Sequence, residues 1–172
     1  IMIDTLVSNL ERARQKNTLE QLGLKKGHYV YVTLHRPSNV DQREIIEKIM
    51  WQLGNLSKEL PVIFPVHPRT RKMLSEFGIK VENNSHLMIL DPIGYHDSIY
   101  LIEHARLVIT DSGGIQEETT FFRTPCLTLR PNTERPITIT EGSNQLTNPA
   151  NLENDIRRLF EKPERIGNIP PL

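Results

Sequence analysis

Leu107-Val108-Ile109-Thr110-Asp111-Ser112-Gly113-Gly114-Ile115-Gln116-Glu117-Glu118 is the stretch that decides the fold. Its first four residues are a short run rich in β-branched side chains. Asp111, Ser112 and two glycines follow at once, and then a segment of helical period from 115 to about 122. A buried strand turning directly into a helix is half of a βαβ unit. The rest of the chain repeats the alternation. Residues 28–34, 62–66, 86–90 and 126–129 read as further strands, and 145–147 as a short sixth. Helical spacing recurs over 1–15, 41–58, 69–77, 97–105 and 150–160.

Local signals sharpen these bounds. In the first segment Ile3, Leu6, Val7 and Leu10 have the spacing of one helix face. Asp41 with Glu44 three residues on reads as a capping box that opens the helix over 41–58. Ile45, Ile46, Ile49, Met50 and Leu53 line its apolar face, with Trp51 packing on or beside it. Gly78 fits the residue just past a helix C-terminus. Gly23 and Gly27 flank a turn-rich connector, 130–142 reads as irregular, and Pro163, Pro170 and Pro171 end regular structure. Strand–helix alternation on this scale predicts a doubly wound parallel sheet in three α/β/α layers, as a single domain over 1–172.

Composition narrows the function classes. The chain has 172 residues, 21 Lys+Arg against 21 Asp+Glu, and hence no net charge. That balance argues against nucleic acid or an anionic membrane as partner, so any anion site must be local. With 37% hydrophobic and 24% charged residues the chain should fold and dissolve. No apolar run approaches the ~18–20 residues that span a bilayer. Asp4, Glu11 and Arg12 interrupt the first dozen residues, which excludes a signal-peptide core and leaves a cytoplasmic setting. Cys126 is the only cysteine, sits in an apolar stretch and reads as buried filler. Without Cys/His groupings or an H-E-x-x-H motif, neither a metal nor a cofactor is expected. The chain begins Ile1-Met2, which suggests a piece of something longer.

In doubly wound sheets, ligands bind beyond the carboxyl ends of the strands. The segments there are His35-Arg36-Pro37-Ser38-Asn39, His67-Pro68-Arg69, Asp91-Pro92-Ile93-Gly94-Tyr95, Asp111-Ser112-Gly113-Gly114 and Arg130-Pro131-Asn132-Thr133-Glu134-Arg135-Pro136. Polar, cationic and glycine residues therefore collect at one edge of a neutral protein. Ser112-Gly113-Gly114 is the sharpest element: glycines allow close approach, and the helix behind them directs free N–H groups and its positive dipole end at the turn. That suits a phosphate, although a tight strand-to-helix turn needs no ligand. Glu117 and Glu118 are favourable near a helix start in any case; functionally, one of them would face the cleft and accept bonds from ribose hydroxyls. His35 and Arg36 suit an anionic group, and His67 is a weaker candidate of the same kind. His28, His86, His96 and His104 read as structural or surface residues.

Thr33-Leu34-His35-Arg36 with Asn39, Pro65-Val66-His67, Leu90-Asp91-Pro92, Thr110–Glu118 and Thr133-Glu134-Arg135-Pro136 occur in that order. Together they resemble the C-terminal half of a non-hydrolysing UDP-N-acetylglucosamine 2-epimerase. The resemblance implies one Rossmann-like half of a GT-B-like two-domain fold. It implies interconversion of UDP-GlcNAc and UDP-ManNAc by elimination and re-addition of UDP, in the service of polysaccharide synthesis. By the same resemblance Ser112, Gly113 and Gly114 would hold the pyrophosphate and Glu118 the ribose. Arg135 and His35 would sit by the phosphates, where His35 helps stabilise departing UDP. Pro92 and Tyr95 would lie near the uracil, and Arg36 and His67 would contribute to a regulatory UDP-GlcNAc site.

The family's acid/base carboxylates belong to the N-terminal domain, which is expected to be the missing partner; the chain alone should then bind without turnover. A homodimer would also fit the family. Two departures stand out: Ile137 where the family often has glutamate, and Arg123 where it often has glycine. The alternatives are the nucleotide-binding domain of a GT-B glycosyltransferase, a non-catalytic nucleotide-sugar-binding module, or a hydrolysing epimerase.

Overall fold

A computed structural model describes residues 2–80 and 86–161. Ile1 and the three late prolines, Pro163, Pro170 and Pro171, lie outside the described residues. Six strands form one sheet: β1 (Val30–Thr33), β2 (Val62–Pro65), β3 (Leu87–Leu90), β4 (Leu107–Thr110), β5 (Cys126–Leu129) and β6 (Asn144–Thr147). Their spatial order is 3-2-1-4-5-6, and every pairing is parallel. The chain starts in the middle at β1, steps outward to β3, then returns past β1 to β4 and steps outward the other way. The order reverses between β1 and β4, where such sheets open a crevice at the strands' carboxyl ends.

Successive side chains on a strand point to opposite faces, and here both faces are apolar. Val30, Val32, Phe64, Ile109 and Leu127 pack on one side with α4 (Arg43–Leu56) and α9 (Leu152–Phe160). Tyr29, Tyr31, Ile63, Val108 and Cys126 pack on the other with α2 (Thr18–Leu22) and α6 (Tyr95–His104), joined by Phe122 of α7 (Gly113–Phe122). Outside that layer α1 (Met2–Arg14) buries Leu6 and Ala13 against Ile99 of α6. Each such apolar side chain contributes about 1.5–3 kcal/mol on burial. The three-layer doubly wound architecture is therefore the one the alternation predicts.

Three expectations need correction. The capping box at Asp41 does not form. Pro37 instead starts a short helix, α3 (Pro37–Val40), and Asp41 caps its C-terminal end while its carboxylate pairs with Arg69. Gln42 is the N-cap of α4 and makes no side-chain cap bond. Trp51 is not packed but 63% exposed: Ile46, Ile49, Met50 and Leu53 form the buried stripe, and position 51 turns away from it. Val7 likewise faces outward, at 53% exposure. Two short helices within the connecting segments, α2 and α8 (Ile137–Thr140), have too few residues to show a period. Gly78 does follow α5 (Pro68–Glu76) in the left-handed region, at φ 65°.

Candidate functional site

The crevice between β1 and β4 is built around Asp111, which is fully buried. Its carboxylate accepts from the backbone N–H of His35 at 3.1 Å, that of Arg36 at 2.9 Å and Asn39 Nδ2 at 3.1 Å. His35 Nδ1 lies 3.2 Å from its Oδ1. The Arg36 guanidinium returns a bond from Nε to the Asp111 carbonyl at 2.9 Å, and Asn39 also donates to the Leu129 carbonyl at 2.9 Å. The carboxyl ends of β1, β4 and β5 are thereby tied to one buried group. Burial alone would raise the Asp111 carboxyl, yet His35, the Arg36 N–H and Asn39 outweigh it and hold it below the usual range. The bond to Asp111 in turn raises His35, against burial and the Arg36 charge.

Ser112 is the N-cap of α7, and its Oγ accepts from Ile115 N at the long limit of 3.5 Å. The first helical bond runs from Gln116 N to the Ser112 carbonyl. The N–H groups of Gly113 and Gly114 then have no acceptor among the described residues, as the first turn of a helix dictates. A Cβ on Gly113 would meet only Glu134 Oε2, at 3.9 Å. The protein's own packing therefore does not demand glycine there. Gly142 is the contrast: a Cβ there would fall 2.5 Å from the Thr138 carbonyl oxygen.

Glu118 lies in the second turn of α7, 6% exposed, and its carboxyl faces Tyr95 at the start of α6. Burial, then the neighbouring Glu117 charge, push it up to about 7, only partly offset by Tyr95. Helix rotation separates the acidic pair: Glu117 turns to the segment after β5 and pairs with Arg135 Nε at 2.5 Å. That segment is held to α7 by Thr133 Oγ1, which donates to Gln116 Oε1 at 2.6 Å and accepts from Arg135 N at 2.9 Å. Arg130, its side chain only 5% exposed, grips Glu134 with two bonds of 2.8 and 2.7 Å. This pair, with the nearby Arg36 charge, draws the Glu134 carboxyl down to about 2.

His67 caps α5, accepting from Arg69 N at 3.1 Å, and its ring stands 5.8 Å from that of His35. Pro92 is exposed in the loop after β3. The structure thus gathers His35, Arg36, His67, Ser112, Gly113, Gly114 and Arg135 along one edge, with Glu118 and Tyr95 as a pair beside it. Sequence reading passed over Asp111, Asn39, Glu117 and Arg130 as organisers of this edge. The available signal was an aspartate at the end of a buried strand, where an unpaired carboxylate could not stay. Among the described residues no group of three or more His, Cys, Asp or Glu side chains is placed to hold a metal ion. Nor is any helix among them long and apolar enough to cross a membrane.

The family model for UDP-N-acetylglucosamine 2-epimerase matches residues 1–170. A UDP-N-acetylglucosamine 2-epimerase of Methanococcus maripaludis is 40% identical over 98% of the chain and 48% of its own length. A UDP-2,3-diacetamido-2,3-dideoxy-D-glucuronate 2-epimerase of Pseudomonas aeruginosa is 38% identical over 71% of the chain and 34% of its own length. The crystal structure of the Methanocaldococcus jannaschii UDP-GlcNAc 2-epimerase, in complex with UDP-GlcNAc and UDP, superposes with a TM-score of 0.86. It is 33% identical, over 99% of this chain and 49% of that one. The chain spans about half the length of the curated relatives it matches. Sheet order, crevice and sequence likeness agree, and the chain belongs to the UDP-N-acetylglucosamine 2-epimerase family.

Proposed function

We propose that this chain is the C-terminal, UDP-binding half of a non-hydrolysing UDP-N-acetylglucosamine 2-epimerase. The observation that carries the reading is the pair of N–H groups on Gly113 and Gly114 that have no acceptor among the described residues, at the positive end of α7 and two to three residues beyond Asp111, which lies against His35. In this reading Ser112, Gly113 and Gly114 hold the pyrophosphate, and Glu118 in its ionised form accepts from the ribose hydroxyls. Tyr95, next to Glu118, and Pro92 border the uracil. His35 and Arg135 face the phosphates. An imidazolium at that point stabilises the charge that develops on departing UDP and stabilises it less in the bound sugar nucleotide, which is what accelerates elimination. Arg36 and His67 contribute to a second, regulatory nucleotide-sugar site.

The carboxylates that move the C2 proton would come from the other half of the enzyme, the partner this chain requires. The chain is expected to bind UDP but not to epimerise on its own. Recognition through UDP would be common to epimerases of other UDP-sugars, such as the diacetamido-glucuronate relative. A cytoplasmic setting, with the product passing to polysaccharide assembly and the enzyme dimeric, completes the reading. Calorimetric titration of the chain with UDP and UDP-GlcNAc tests it. UDP should fill one saturable site, weakened in Ser112→Ala and Glu118→Ala, and UDP-GlcNAc should fill that site and the second, regulatory one. Equal affinity for ADP and UDP, or no loss in either variant, would overturn it.

A further inference from the structure

We propose that Asp111 is the positioning residue for His35: it holds the imidazole by Nδ1 and so presents Nε2, on the opposite edge of the ring, to the diphosphate. The ligand in this inference rests on the UDP-binding reading above; the geometry does not. A carboxylate offers about four acceptor sites. Oδ2 takes the Arg36 N–H, Asn39 Nδ2 and the closer contact of the His35 N–H, at 2.9, 3.1 and 3.1 Å. Oδ1 has only a longer contact to that same His35 N–H, 3.3 Å, and so remains available to Nδ1 at 3.2 Å. The backbone bonds fix the loop that carries His35, and the side-chain contact fixes the ring upon it. Asp111 is fully buried while the His35 side chain is 45% exposed, so the anchored edge faces inward and the far edge faces the crevice.

A proton held on Nδ1 means that the imidazolium carries its second proton on Nε2, where a phosphate oxygen would accept it. Two groups, with burial, set the ring's charge: Asp111 at the end of β4 and Arg36 beside it in the chain; the His67 ring after β2 stands 5.8 Å away. Asp111 favours the imidazolium and Arg36 opposes it. His67 spends its Nδ1 on accepting from Arg69 N, so it offers His35 no second carboxylate-like anchor.

The test uses the 172-residue chain with 15N-labelled histidine, as wild type and as Asp111→Asn, together with titrations of UDP and of uridine. Neutral His35 should carry its proton on Nδ1 and titrate above the ordinary 6.5. In Asp111→Asn the midpoint should fall and UDP affinity should drop about tenfold, the scale of a lost charge-assisted bond. Uridine affinity should stay unchanged, whereas a merely structural loss would lower both. Equal loss for UDP and uridine, or no loss for UDP, would overturn the inference. If Asp111→Asn does not fold, the wild-type tautomer decides: a proton on Nε2 of neutral His35 contradicts it. Failure of wild type to bind UDP at all would instead defeat the UDP-binding reading, and the tautomer would still be read.

Discussion

Asp111 and Glu118 stand seven residues apart, one just before α7 and one in its second turn, and both are buried. Their charges go opposite ways. Asp111 is held below its ordinary range and Glu118 is pushed up to about 7. Asp111 accepts from two backbone N–H groups and an amide, and an imidazole nitrogen lies 3.2 Å from it. Glu118 has Tyr95 and the repulsion of Glu117. Burial therefore does not settle the charge of a carboxylate; the number of donors brought to it does. The saturated carboxylate organises the crevice. The under-supplied one has acceptor capacity left for a ligand's hydroxyls.

Replacing Asp111 should break this contrast most severely. Asp111→Ala would leave the N–H groups of His35 and Arg36, together with Asn39, without their buried acceptor, and should cost about 3–5 kcal/mol in denaturant unfolding. A loss below about 1 kcal/mol would mean that water or another group replaces the carboxylate easily.

The pH dependence of stability sharpens the contrast next, because the two signs differ. Asp111 is depressed, so its contribution is present above the ordinary 3.8 and is lost as pH falls through its folded value. Glu118 is raised from 4.5 to about 7, so the folded state binds the proton more tightly than the unfolded chain does. Its favourable contribution is full below 4.5 and is lost as pH rises through about 7. Glu118→Gln should then leave stability near pH 4.5 almost unchanged. At pH 8 it should stabilise the chain by up to about 3 kcal/mol relative to wild type. A difference that does not vary with pH would contradict the raised carboxyl.

Two smaller effects separate ligand chemistry from folding along the same helix. Gly113→Ala should leave the unfolding midpoint nearly unmoved, since little stands near the added Cβ. It should weaken UDP about tenfold by crowding the approach to the N–H pair. At the far end of α7, Arg123 occupies the left-handed region at φ 58°. Glycine enters that region without the steric cost a side chain carries. Arg123→Gly should stabilise the chain by up to about 1 kcal/mol and leave UDP affinity unaltered. A change in UDP affinity would couple the two ends of the helix in a way this account does not contain.

The sheet was legible because short apolar runs survive as a pattern within four or five residues, and the strand–turn–helix at Thr110–Gly114 is local as well. The networks were not. Asp111 finds its partners 72 to 76 residues earlier in the chain, and no spacing rule connects them. Which of Glu117 and Glu118 faces the crevice depends on the rotation of one helix, which packs on α1, α6, α8 and the sheet, partners from other parts of the sequence. Asp41 misled because a proline four residues upstream gave the aspartate a different helix to cap. Trp51 misled because it adjoins Met50 of the stripe in sequence, yet one residue further turns about 100° around a helix and away from that stripe.

The central claim is that UDP binds with its diphosphate on the Gly113 and Gly114 N–H groups. It is tested most directly by following the amide resonances of the chain during UDP titration. The account expects the largest shifts at Gly113 and Gly114, saturating together and accompanied by smaller ones beside Glu118. Shifts centred elsewhere, with these two amides unmoved, would contradict it.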